Sequence, residues 1–312
     1  VKLLSTFESR KRSREVNEKL IKFALIGAAV ISILTTFGIL FSILFEAIEF
    51  FKLRSFWYFI TGATWSPGVI GSKFGALPIF AGTFVITIIA LGVAIPVGLG
   101  SAIYMSEYAS ATLRDYLKPL LEILAGIPTV VYGFFAAITV APLVVQIAEF
   151  FGLEATFNSA LASGVVMGIM IIPVISSLSD DVIRAVPDSQ RKAAFALGMT
   201  HGETIKNIVL PSAMPGIISA SLLGLSKALG ETMIVVMAAG LRPNLSWSPL
   251  EDMTTVTVTI VNSLVGDFEF NSPETLSAFA LGLILFVVTL ILNMISLSLI
   301  RKFKEKYKVN TL

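Results

Sequence analysis

Five stretches of this chain run for 18 to 30 residues without a single charge: 23–45, 76–105, 123–147, 161–178 and 276–300. A sixth, 213–241, carries only Lys227 and Glu231. About 20 apolar residues suffice for a helix to cross the hydrocarbon core of a bilayer. No water is available there for backbone N–H and C=O groups, so each stretch is expected as an internally bonded helix. The in–out alternation of barrel strands is missing. The predicted fold class is all-α, a membrane protein with six transmembrane helices. Composition agrees: 55% of the 312 residues are hydrophobic and 14% are charged, where a soluble domain has about a quarter charged.

Lysine and arginine distribution predicts orientation, because cytoplasmic loops carry the excess. Eighteen lie in the N-terminal tail, the 2–3 and 4–5 connections and the C-terminal tail; four (Lys52, Arg54, Lys73 and Arg242) lie on the other side. Both termini are therefore expected in the cytoplasm of a cell-membrane protein. The expected layout is a basic tail over 1–22, a six-helix domain over 23–300 and a basic tail over 301–312. The first span is too long for a signal-peptide core, and no small-residue cleavage site follows it, so it reads as a retained helix. Trp57, Tyr58 and Trp65 beyond it fit an interfacial aromatic belt.

Pro96, Pro128 and Pro173 fall within spans 2, 3 and 4, where each removes a backbone hydrogen bond and permits a kink. Gly164 and Gly168 form a small-xxx-small pair suited to close helix approach. Several chemistries have no footing. There is no cysteine and one histidine, His201, so no metal site is expected. No G-x-x-x-x-G-K-[ST] loop occurs, so the chain is not expected to bind ATP itself, and no other cofactor is indicated. Ser226 and Lys227 are adjacent and would point about 100° apart on a helix, which is wrong for a catalytic dyad. The chain is not expected to be an enzyme.

The connection 180–211 is expected to be structured. Asp188 is placed to cap a short helix through residues 191–197, and Gly198 suits the left-handed position after it. Thr200 with Glu203 forms a capping box for a second short helix, which Pro211 is expected to stop. The small face of Ala193, Ala194, Ala196 and Leu197 reads either as part of a well-capped surface loop or as a docking face for another protein.

Lys227 and Glu231 are the charges inside a span, where a charge at mid-bilayer is costly by about 2.5–3.5 kcal/mol on insertion scales. Four apart on one helix, they would share a face. They read either as a structural ion pair or as a polar step on a substrate path.

Lys192-Ala193-Ala194, then Gly198, then Ile208-x-Leu210-Pro211 reproduces the spacing of the EAA motif of ABC importer permeases, with Lys192 where that family has Glu. Gly126-Ile-Pro-Thr-Val-Val-Tyr-Gly133 and Ala228-Leu-Gly-Glu-Thr-Met233 resemble the phosphate branch of the family, the PstC-type permeases. The likeness spans roughly residues 15–305. It implies a type I importer bundle that forms half a pore working by alternating access. It further implies a PstA-like second permease subunit, two PstB-like ATPases that bind the ATP and dock on the 180–211 loop, and a PstS-like external phosphate-binding protein. The implied coupling residues are Lys192, Ala193, Ala194, Gly198, Leu210 and Pro211. The implied substrate path runs by Lys227, Glu231, Thr232, Thr129 and Tyr132, with Lys227 standing where the branch commonly has Arg. The competing readings are a permease for sulfate or molybdate, and an ion-coupled carrier or channel.

Overall fold

The computed structural model describes residues 2–68, 71–265 and 269–306. Lys308 of the basic tail and residues 266–268 of the last long loop lie outside the described residues. Helix α1 (Lys2–Leu53) continues without interruption through the segment expected as a tail and through the first span. A short α2 (Phe56–Thr61) and a two-stranded hairpin follow. In the hairpin β1 (Trp65–Ser66) pairs antiparallel with β2 (Lys73–Phe74), Trp65 opposite Phe74. The rest is helical: α3 (Leu77–Ile103), α4 (Ala111–Ala125), α5 (Thr129–Phe135), α6 (Ala141–Phe150), α7 (Ala160–Arg184), α8 (Asp188–Ala196), α9 (His201–Thr204), α10 (Leu210–Leu229), α11 (Met233–Ala238), α12 (Val256–Val265) and α13 (Pro273–Lys306). Wider π-helical turns extend α3 over Tyr104–Tyr108, join α5 to α6 over Ala136–Val140, and join α9 to α10 over Ile205–Val209. Among the described residues, six helical segments are long and apolar enough to span a membrane.

The centre of the bundle is α7 packed against α3 and α10. Ser159 caps α7 by accepting from the Ala162 N–H at 3.2 Å. The Gly164/Gly168 pair brings α7 onto α3: a Cβ on Gly168 would lie 2.8 Å from the Ala90 carbonyl oxygen, and one on Gly164 2.7 Å from the Ile89 side chain. The buried face of Val166, Met167, Met170, Ile171 and Ile175 then meets Ile86, Ala90 and Ala94 of α3. A second cluster at the hairpin end holds Phe50, Phe59 and Phe74 with edge-on ring pairs at 5.2 and 5.5 Å. Trp65 belongs there, 5.5 Å from the Phe74 ring. This corrects its assignment to an aromatic belt: pairing with Phe74 across the hairpin turns the indole inward. Trp57 is 74% exposed, as a belt residue would be.

Two expected spans are broken. Pro96 and Pro173 sit within continuous helices. Pro128 instead occupies the N-cap of α5, after α4 has ended at Gly126. Span 3 is therefore the segment Thr129–Phe150, and α4 is a separate amphipathic helix. Span 5 ends at Gly230, and α11 restarts after Thr232.

Candidate functional site

The helices that restart after the two breaks, α5 and α11, pack on one another. Gly133 of α5 packs on α11 so closely that a Cβ would meet the Met237 sulfur at 2.8 Å and the Met233 carbonyl oxygen at 3.1 Å. Tyr132 is buried, and its hydroxyl donates to the Leu124 carbonyl at 2.9 Å, bridging the first break. The Leu124 carbonyl also accepts from the Ile127 N–H at 3.3 Å, so the end of α4 is held both by the turn that follows it and by Tyr132. Tyr132, Ile234 and Val235 are buried in the same core as Ala228 at the end of α10.

Glu231 sits in the second break and is only 7% exposed. Its Oε1 accepts from the N–H groups of Met233 at 3.0 Å and Ile234 at 3.3 Å, donors that the start of α11 leaves free. Its own carbonyl accepts from the Thr257 hydroxyl at 2.7 Å. The shared helical face expected for Lys227 and Glu231, and with it the reading as a structural ion pair, is overturned. Gly230 ends α10 between them, so the two no longer share a helical face, and no ion pair joins them. Lys227 is half-buried in the last turn of α10, with no ion pair or hydrogen bond among the described residues. Thr129 opens α5, and Thr232 holds the N-cap position of α11 without a side-chain cap bond. Neither hydroxyl has a protein partner among the described residues. The helix ends at the two breaks thus carry a half-buried ammonium, two hydroxyls without a protein partner among the described residues and a carboxylate already committed to backbone.

At the other end, the 180–211 connection is helical as expected, with two corrections. Pro187, not Asp188, takes the N-cap position of α8, so Asp188 is the first helical residue and instead lies 3.6 Å from Arg191. Pro211 does not stop a helix: the run from His201 continues through it to Leu229, and the wider π-helical turn Ile205–Val209 lies just before the proline, which lacks an N–H. Gly198 has φ +82°, and the Thr200–Glu203 capping box is complete. The Thr200 N–H and then its hydroxyl hold the Glu203 carboxyl below its ordinary range. Ala194 is buried, while Lys192, Ala193, Phe195, Ala196 and Leu197 are exposed, Leu197 at 80%. Leu210 and Pro211 begin α10.

The sequence reading missed what anchors this loop. Arg191 donates from Nη2 to Glu107 at 2.8 Å and to the Ile183 carbonyl at 2.9 Å, and from Nη1 to the Val186 carbonyl. Glu107 is 7% exposed, and its other oxygen lies 3.9 Å from His201 Nε2. Arg114 forks onto fully buried Asp180 at 2.7 and 3.4 Å, a hydrogen bond that raises the guanidinium pKa against the opposing effect of burial. Lys118 pairs with Asp181. The sequence reading used Arg114, Lys118 and Arg191 in its orientation count and gave their acidic partners Glu107, Asp180 and Asp181 no role. Their one sequence signal was that each flanks a span end, where a partner on a neighbouring span is within reach.

The chain matches the family described as binding-protein-dependent transport system inner membrane component over residues 94–305. It belongs to this family. Among its relatives are a probable ABC transporter permease, YqgH, of Bacillus subtilis (35% identical, covering 80% of this chain and 78% of the relative) and the phosphate transport system permease PstC 1 of Mycobacterium tuberculosis (32%, covering 88% and 90%). The PstC permease of Pasteurella multocida is 30% identical over 96% of each chain. In fold the chain is similar to a chain of a bacterial ABC transporter that imports alginate, with a TM-score of 0.64 at 15% identity over 90% of this chain and 96% of that one. A chain of the inward-facing MetNI methionine transporter gives a TM-score of 0.52 at 17% identity over 73% and 94%. Family membership sets aside the ion-coupled carrier, and the fold is that of an ABC importer permease.

Proposed function

We propose that this chain is one half of the pore of an ATP-driven importer of inorganic phosphate. The observation that carries this reading is the likeness to PstC permeases along nearly the whole chain at 30–32% identity. The 18-to-4 distribution of basic residues supports cytoplasmic termini, so α8 and α9 lie on the cytoplasmic side. There the exposed Ala193, Phe195, Ala196 and Leu197 form the docking face for an ATPase subunit, which binds the ATP. A PstA-like permease completes the pore, two PstB-like ATPases drive it, and a PstS-like external protein delivers phosphate.

The broken helices supply the chemistry of passage. Phosphate carries one to two negative charges near neutral pH, so its path needs a cation and hydroxyl donors. Lys227 offers the cation, and Thr129 and Thr232 offer hydroxyls with no other partner. The N-terminus of the helix from Thr129 to Phe150 adds free N–H groups with positive dipole character. Tyr132 and Glu231 act indirectly in this scheme, by fixing the breaks through Leu124, Met233 and Ile234. A lysine binds phosphate as a point charge rather than a fork, which favours release.

The test is reconstitution of the full assembly in proteoliposomes with phosphate, sulfate and molybdate offered in parallel. ATP-dependent accumulation of phosphate alone supports the reading. Accumulation of sulfate or molybdate alone keeps the importer and removes phosphate.

A further inference from the structure

Arg191 and Glu107 are 84 residues apart and join the loop to α3 directly. Peptide connections tie α8 and α9 only to α7 and α10. The Arg191 guanidinium adds a third attachment, since it binds the last turn of α7 through Ile183, the connection just after it through Val186, and the end of α3 through Glu107. Glu107 receives α8 through Arg191 on one oxygen and approaches α9 through His201 on the other. It lies in the π-helical turn Tyr104–Tyr108, so a displacement of the loop reaches α3 at its terminus.

Helix α3 runs unbroken from Leu77 to Ile103. From Glu107 back to Thr83 the rise is roughly 36 Å. At that far end, Thr83 Oγ1 accepts from the Val256 N–H at 3.0 Å, and Gly82 lies against the Thr254 carbonyl with no room for a Cβ. One residue beyond Val256, Thr257 donates to the Glu231 carbonyl at 2.7 Å. Two sets of polar contacts, one at each end of α3 and joined by the helix itself, therefore lead from the loop to the break in span 5.

We infer that Glu107 is a positioning residue, through which movement of the α8–α9 loop enters α3 and is delivered by Thr83 and Thr257 to the break at Glu231. This rests on the reading of the chain as an ATP-driven phosphate permease. Helix α3 carries the displacement along its axis, and close packing on α7 at Ala90 and at Gly98, on either side of Pro96, holds it in line. Glu107 touches neither phosphate nor ATP in this role.

The test uses the complete assembly in proteoliposomes and reads three quantities: ATPase subunits retained, ATP hydrolysed, and phosphate moved per ATP. For Glu107→Gln the subunits stay and hydrolysis continues, while phosphate per ATP falls by about fivefold or more, the range of a typical coupling free energy. Arg191→Lys, which keeps the charge but loses the fork, lowers the same ratio. Thr83→Val at the far end lowers it too, and the Glu107→Gln/Thr83→Val pair falls no further than Glu107→Gln alone. An unchanged ratio in Glu107→Gln overturns the inference, as do additive losses in the pair or loss of ATPase subunits. If the wild-type assembly itself moves no phosphate, the phosphate reading fails instead.

Discussion

The Oε1 atom of Glu231 lies 3.0 Å from the backbone nitrogen of Met233, so a carboxylate in a membrane-spanning region is spent on starting a helix. Glu231→Ala leaves the N–H groups of Met233 and Ile234 without an acceptor, at about 1–3 kcal/mol for a buried donor. Glu231→Gln keeps a carbonyl oxygen there. The expected outcome is a clear fall in thermal stability of the detergent-solubilised protein for Ala and a small one for Gln. Equal losses in both would show that the charge, not the cap, is what matters.

The Gly168 backbone meets that of Ala90 with no space for a methyl group, whereas Gly92 has open space beside it. Gly168→Ala is expected to force α7 off α3 and destabilise by about 1–3 kcal/mol, as overpacking does. Gly92→Ala, in the same region, is expected to be neutral or slightly stabilising. Melting of both variants in one detergent checks the pair.

Asp180 is fully buried and held by Arg114, which is 16% exposed. Removing the guanidinium with Arg114→Met leaves an uncompensated buried carboxylate, at about 3–5 kcal/mol. The double variant Arg114→Met/Asp180→Leu is expected to recover much of that loss. Expression yield and melting of the two variants decide it, and a double variant no better than the single would contradict the pairing argument.

Gly198 has φ +82° with nothing within 4 Å of a Cβ, so its constraint is backbone conformation and not space. A β-branched residue is strained there, by roughly 1–2 kcal/mol. Gly198→Val is expected to lose the ATPase subunit on co-purification, and Gly198→Asn, which tolerates this region, to retain it. Retention in both would remove the turn from the docking argument.

The membrane spans were legible because charge-free runs of this length have few other uses, but their interruptions were not. Hydropathy runs on through Gly126–Pro128 and through Gly230–Thr232, so a breaker there reads as a kink, and Lys227 and Glu231 read as one face. Burial was also hidden. The most apolar 18-residue stretches of Glu18–Leu53 and Ala160–Arg184 have mean hydropathies of 2.3 and 2.2, yet none of the first stretch and 61% of the second is buried. Lipid and protein interior select the same side chains, and the difference lies in small residues such as Gly164 and Gly168. The loop was better marked, since the Thr200–Glu203 box and Gly198 act through local geometry. Its anchors, Glu107 and Asp180, were not, because a salt bridge across 66 or 84 residues leaves no local pattern.

The most direct measurement is uptake of labelled phosphate at low external phosphate by cells lacking this chain, with and without the wild-type chain restored, and with sulfate uptake recorded beside it. The expected result is restoration of energy-dependent phosphate uptake with sulfate unchanged, and its loss again in Lys227→Met. Phosphate uptake that stays at the level of the deleted cells after restoration, with the chain present in the membrane, would contradict the account.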